Sequence, residues 1–132
     1  MRRCPEREDA MIKMMFCLRR RADLSREAFQ HYWRDRHAPL VAEVAPVLRI
    51  RRYVQSHGFD DPRIAVPVEA RGATVSAYDG VAELYWDSIE DLVAVNHSKA
   101  ARDAGRRLLE DERKFIDLAN SPLFWVREDR IV

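Results

Sequence analysis

The stretch Met11-Ile12-Lys13-Met14-Met15-Phe16-Cys17-Leu18 is apolar at every position but Lys13. Successive side chains of a strand point to opposite faces, so a strand of this composition has to be covered on both. This demand constrains the fold more than any other feature of the chain. With 132 residues, there is room for one domain and one core. Helices from the same chain can cover one face of a sheet; the other needs a different partner.

The rest of the pattern supplies the helices. Ser25 is a good N-cap, with Glu27 in the first turn of the helix it starts. Phe29, Trp33, Arg36 and Leu40 mark one stripe of that helix, with Tyr32 at its margin. Pro39 predicts a kink or interruption near His37, with a further helical turn over Val41 to Ala45 before Pro46. Leu48 to His57 reads as a second strand. Gly58 to Asp79 shows no clear element. Pro62, Pro67 and Gly72 punctuate it, and Ile64 to Val68 is expected as a short extended piece. Long irregular segments inside compact domains are often lids or binding loops. Val81 to Trp86 reads as a third strand. Ser88 caps the next helix, whose Leu92, Val93 and Val95 are expected to face inward. Ser98 starts the longest helix, marked by Ala101, Ala104, Leu108, Phe115 and then Leu118 or Ala119, and ended by Asn120-Ser121-Pro122. Leu123 to Val126 is the last strand, extending toward Ile131.

Strand, helix, strand, then strand, helix, strand is the split βαβ arrangement: an α+β, ferredoxin-like fold. It predicts a four-stranded antiparallel sheet with helices on one face. The other face is apolar along Met11 to Leu18, at Tyr85, and at Trp125 or its neighbours. Such a patch is rare on a monomer, so a C2 homodimer through the sheet face, closing a dimeric α/β barrel, is expected. Residues 1–10 are polar and expected to be a disordered tail, leaving 11–132 as the domain.

Charge and cysteine usage narrow the setting. The 23 basic and 22 acidic residues nearly balance, which argues against nucleic acid, a ligand that needs a clustered basic face. Arg19-Arg20-Arg21 reads as a solvated strand end. No apolar run approaches the ~20 residues of a membrane span. Cys4 and Cys17 sit in unlike settings and do not form a disulfide framework, so a reducing, cytoplasmic location is expected. The acidic residues soon after Met1 do not fit a targeting segment.

Chemistry has few candidates. No zinc-like spacing, glycine-rich phosphate loop or nucleophile elbow is present, so neither metal nor cofactor is expected. Histidine titrates nearest neutrality. His31 and His97 lie among polar neighbours and read as surface residues. His37 falls at the edge of the apolar stripe just before Ala38-Pro39, and His57 ends the second strand beside the long segment. Glu83, mid-strand among apolar residues, needs a partner, which Lys13 or the arginines Arg49, Arg51 and Arg52 would supply.

Five motifs, in order, resemble the EthD family: Leu24-Ser25-Arg26-Glu27-Ala28-Phe29 with Tyr32-Trp33; Arg36-His37-Ala38-Pro39-Leu40; Arg52-Tyr53-Val54-Gln55-Ser56-His57; Tyr78 to Trp86; and Asp111 to Asp117. The resemblance spans roughly residues 11–132. It implies a dimeric α/β barrel that acts without a cofactor on a small aromatic or lactone-like compound, by isomerase, dehydratase or decarboxylase chemistry. It places His37 and His57 as acid/base histidines meeting in a cavity between sheet and helices. Tyr53, Trp33, Tyr32, Glu83 and Trp86 are the expected substrate contacts. The segment Phe59 to Tyr78 departs from compact family members. The alternative is a non-catalytic module holding an apolar ligand; a haem-linked or oxygen-using enzyme rests on fold analogy alone.

Overall fold

The computed structural model describes residues 10–74 and 78–132. Most of the expected tail, with Cys4, lies outside them. Four strands form one antiparallel sheet in the order β2-β3-β1-β4: β1 Ile12–Leu18, β2 Arg52–His57, β3 Gly80–Trp86 and β4 Leu123–Val126. This is the strand order of the split βαβ arrangement. The both-faces-apolar strand β1 sits inside, paired on one side with β3 (Phe16 opposite Ala82) and on the other with β4 (Phe16 opposite Leu123).

The first helical region has three parts: α1 Arg26–Tyr32, a π-helical turn Trp33–His37, and α2 Ala38–Val44. Ser25 caps α1, its side chain accepting from the Ala28 N–H. Buried Phe29, Trp33, His37 and Val41 recur every four residues. A regular α-helix over-rotates by about 40° at each such step. One wider turn, in which the Ala38 N–H reaches back to the Trp33 carbonyl, brings the row back into line. Arg36, expected on the stripe, is therefore exposed, and His37, expected at its edge, is buried. Pro39 stands at the start of α2, directly after this wider turn, and does not break the run.

Elsewhere the chain follows the expected order with shifted ends. The second strand begins at Arg52 rather than Leu48. Arg49 takes a left-handed backbone (φ 59°), and the Ile50 N–H bonds back to the Ala45 carbonyl, so 45–50 is a turn. Ile64 to Val68, expected as extended, lies in a 3-10 turn Pro62–Ile64 and a short helix α3, Val66–Ala70. Asp61 caps the former by accepting from the Arg63 N–H. Ser88 and Ser98 cap α4 Ile89–Ala94 and α5 Lys99–Glu112. Val93, expected inward, is exposed. The longest helix stops at Glu112, short of Asn120, because Ile116 leaves it to bridge to Arg20 and the Asp117 N–H bonds to the Arg19 carbonyl. No strand extends from Val126 to Ile131, which is exposed.

The Arg19-Arg20-Arg21 run is more engaged than a solvated strand end. Arg20 binds the buried Asp79 through its backbone N–H (2.9 Å) and guanidinium (2.8 Å), and Arg19 lies over the Tyr78 ring. Asp79 thereby fastens the end of the 58–79 segment to the end of β1. Among the described residues no helix is long and apolar enough to cross a membrane.

Candidate active site

The core divides into two clusters. Phe16, Leu18, Phe29, Trp33, Ala82, Phe115 and Ile116 form one; Val41, Val44, Leu48, Ala101, Ala104 and Leu108 form the other. Between them lies a cavity of about 250 Å3. Met14, Phe16, Tyr53, Leu84 and Trp86 close it from the sheet. Trp33, His37, Val41, Leu108 and Glu112 close it from the helices. Its walls are predominantly apolar. A cavity of about 150 Å3 already accepts benzene in an engineered protein, so this one has room for a substituted single ring.

His37 is the buried nitrogen base of the wall. Its Nδ1 lies 2.8 Å from Asp111 Oδ2, on the last turn of α5, while the Tyr32 hydroxyl donates to Asp111 Oδ1 at 2.6 Å. Lys114 adds a longer ion pair to the same carboxylate at 3.6 Å. The Phe115 ring packs on the imidazole, with centroids 5.1 Å apart. An anionic acceptor on Nδ1 fixes the proton there and leaves Nε2 as the basic nitrogen. Burial holds the imidazole below its ordinary range and so neutral, although Asp111 opposes the shift. Burial disfavours the Asp111 charge, but the bonds from Tyr32 and His37 together hold its carboxyl below the usual value. Burial, with Asp111 beside it, pushes the Tyr32 phenol up to about 12, so it stays a donor.

Two further groups face the cavity. The Tyr53 hydroxyl accepts from Trp33 Nε1 (3.2 Å) and from Gln55 Nε2 (2.9 Å). Both bonds use its lone pairs and leave its own proton to give. Glu112 carries the other carboxyl; burial, then the neighbouring Asp111, pushes it up to about 7.

The remaining expected site residues fall in different places. Trp33 and Trp86 line the cavity; the Trp86 indole N–H also donates to the Leu48 carbonyl at 2.8 Å. Tyr32 is one step removed, behind Asp111. His57 does not line the cavity, so the two histidines do not meet in it. It packs on Trp33 (centroids 4.4 Å) and bonds Gln55 Oε1 through Nε2 at 2.9 Å. Gln55 passes that contact to Tyr53 and to the Trp33 carbonyl. Glu83 faces away from the cavity because its neighbours Ala82 and Leu84 face into it. It lies 3.4 Å from Lys13, which also binds Glu128 at 2.6 Å. Among the described residues, no group of three or more His, Cys, Asp or Glu side chains could hold a metal ion.

Asp111, bonded to His37, and Glu112, on the cavity wall, are the candidate site residues that the sequence motifs did not single out. One signal was available: Ala101, Ala104 and Leu108 continue at helical spacing to Glu112, a carboxyl on an apolar stripe. Gly105 carries a related signal. It sits inside α5 and lines the cavity, and a Cβ built there meets nothing within 4 Å. Packing therefore does not require glycine, whose only local product is open space. Gly105→Ala is expected to raise stability by about 0.5–1 kcal/mol through helix propensity, while putting a methyl group into the cavity. Chemical denaturation checks the first effect and ligand affinity the second.

The family of the chain is decided by comparison. A model of the EthD domain matches residues 21–119, three quarters of the sequence. The chain belongs to the EthD family. An EthD family protein from Bacillus halodurans C-125 has the same fold: it is 19% identical, with 90% of this chain and 99% of that chain covered at a TM-score of 0.59. A dimeric ferredoxin-like protein of unknown function from Bacteroides fragilis is 10% identical, with 89% and 96% covered and a TM-score of 0.53. A hydroxynitrile lyase from Passiflora edulis is 12% identical, with 92% and 97% covered and a TM-score of 0.52. No curated protein matches the sequence. Within this EthD chain the family match contains His37, Asp111 and Glu112 together.

Proposed function

We propose that this EthD protein is a cofactor-independent acid/base enzyme acting on a small, largely apolar ring compound, in the manner of an isomerase, dehydratase or lyase. One observation carries the reading: a buried histidine at the wall of an apolar cavity, with Nδ1 held by the Asp111 carboxylate. A base oriented in this way is ready to take a proton from a bound substrate without moving. The apolar walls bind the ring and exclude water, which strengthens interactions at the polar groups. That a hydroxynitrile lyase shares the fold supports lyase chemistry on this scaffold. The test is a panel of neutral one-ring carbonyl and lactone compounds followed by NMR. Turnover by the native protein that His37→Gln abolishes is expected; ligand binding with no turnover in the native protein would make this a binding module instead.

We further infer a homodimer through the sheet face opposite the helices. Met15, Cys17, Val54, Val81 and Phe124 share that face by strand alternation, and Phe124 is 49% exposed. Lys13, Glu83, Glu128 and Tyr85 form a paired polar group beside them. The fold neighbour from Bacteroides fragilis is described as dimeric. Sedimentation is expected to give twice the chain mass, and Phe124→Glu to shift it toward one chain; a native monomer at tens of micromolar would refute the interface.

A further inference from the structure

His37 is one proton-handling group of the cavity, and Glu112 is a second. We propose that Glu112 is a catalytic acid paired with His37, and that the substrate is a neutral carbonyl compound with an acidic C–H bond. This rests on the proposed acid/base function and specifies its substrate class.

Asp111 and Glu112 are consecutive at the end of α5, and consecutive helical side chains diverge by about 100°. Asp111 therefore turns to Tyr32, His37 and Lys114, while Glu112 lines the cavity. Among the described residues Glu112 has no side-chain hydrogen bond or ion pair, unlike Asp111 beside it. A mostly buried carboxyl without a counter-charge favours its protonated form. The groups around it agree with this: Asp111 is anionic, His37 is held neutral, and the Tyr53 hydroxyl, on β2, is uncharged, so no cation faces the carboxyl. Burial pushes the Glu112 acid up to about 7.

The inventory of the cavity then selects the ligand. It presents one base, His37, and two proton donors, the Glu112 acid and the Tyr53 hydroxyl. No lysine or arginine lines it, so nothing there holds a carboxylate or phosphate. A ligand that matches needs an oxygen acceptor, no charge, and a removable proton. In the step, the C–H bond breaks and its proton goes to His37 Nε2. Its electron pair forms the C=C bond of an enol as the carbonyl opens. The carbonyl oxygen takes the proton of Glu112. The products are an enol, an imidazolium stabilised by Asp111, and a Glu112 carboxylate. Where the enol is conjugated to a further C=C bond, the imidazolium protonates the far carbon, the C=O bond re-forms and the enol O–H proton returns to the Glu112 carboxylate. The product is an isomer, both groups regain their starting states, and no oxidant or reductant is needed.

Phenylacetone in D2O tests this, with exchange of its benzylic protons followed by NMR. Exchange catalysed by the native protein is expected to rise with pH as His37 loses its proton and to fall as Glu112 ionises near pH 7. Glu112→Gln is expected to lower the exchange by about 10^2-fold and to remove the falling limb. The same variant is expected to melt higher than the native protein at pH 8, where the native carboxyl is ionised, and no higher at pH 4. That arm reads the buried carboxyl without activity and shows that the variant folds. Loss of exchange in His37→Gln, with Glu112→Gln within twofold of native and its profile unchanged, would overturn the role of Glu112 and spare that of His37. Native exchange that survives His37→Gln would overturn the underlying reading. No native exchange of phenylacetone would overturn the substrate class, as would faster exchange of anionic phenylpyruvate.

Discussion

His37→Gln is expected to lower kcat/KM for any substrate the cavity processes by about 10^2- to 10^4-fold, the usual contribution of a positioned general base. Glutamine fills similar space and still bonds to Asp111, but it offers no basic nitrogen. The apolar walls are unchanged, so KM should move little and the loss should fall on kcat. Asp111→Asn separates the base from its anchor. The amide N–H would donate to Nδ1, move the imidazole proton to Nε2, and leave the base blocked at the atom that matters. A loss comparable to that of His37→Gln is expected although His37 is intact. Steady-state rates for the three proteins check this, and equal kcat in native protein and His37→Gln would remove the histidine from the mechanism.

Phe115→Ala is expected to cost about 3–5 kcal/mol of stability. The ring is fully buried and touches Phe29 at 5.4 Å, Tyr32 at 5.0 Å and His37 at 5.1 Å between centroids. It joins the first helical region to the end of α5, the two elements that carry His37 and Asp111. Truncation leaves a void at that junction and frees both His37 and Tyr32. Urea unfolding measures the stability loss. A loss under 1 kcal/mol would mean that the aromatic cluster does not hold the dyad in place.

The fold was largely legible in the sequence because its signals are local. Ser25, Ser88 and Ser98 mark helix starts by cap chemistry, and a nearly uninterrupted apolar run places β1. The site was legible only in part. His37 could be singled out by its place before Ala38-Pro39, but its burial depends on a π-helical turn that a 3.6-residue period does not anticipate. That period puts Arg36 on the stripe instead. Asp111 lies 74 residues from His37, and no local pattern pairs them. His57 shares the cavity-facing side of β2 with Tyr53, yet Trp33 covers it, a packing result that alternation does not contain. The 58–79 segment was misread because Ile64 to Val68 has strand-like composition. Asp61 capping and Pro62 and Pro67 in first turns favour helical turns there.

A neutral His37 at the cavity wall, held by Asp111 through Nδ1 with Nε2 as its basic nitrogen, is open to one direct measurement. Long-range 1H–15N NMR at neutral pH reports the protonation of each ring nitrogen. The structure predicts a proton on Nδ1, a bare Nε2, and titration below the ordinary histidine range, because burial outweighs the pull of Asp111. Asp111→Asn should reverse the tautomer. A His37 protonated on both nitrogens at neutral pH, or neutral with its proton on Nε2 in the native protein, would contradict the account.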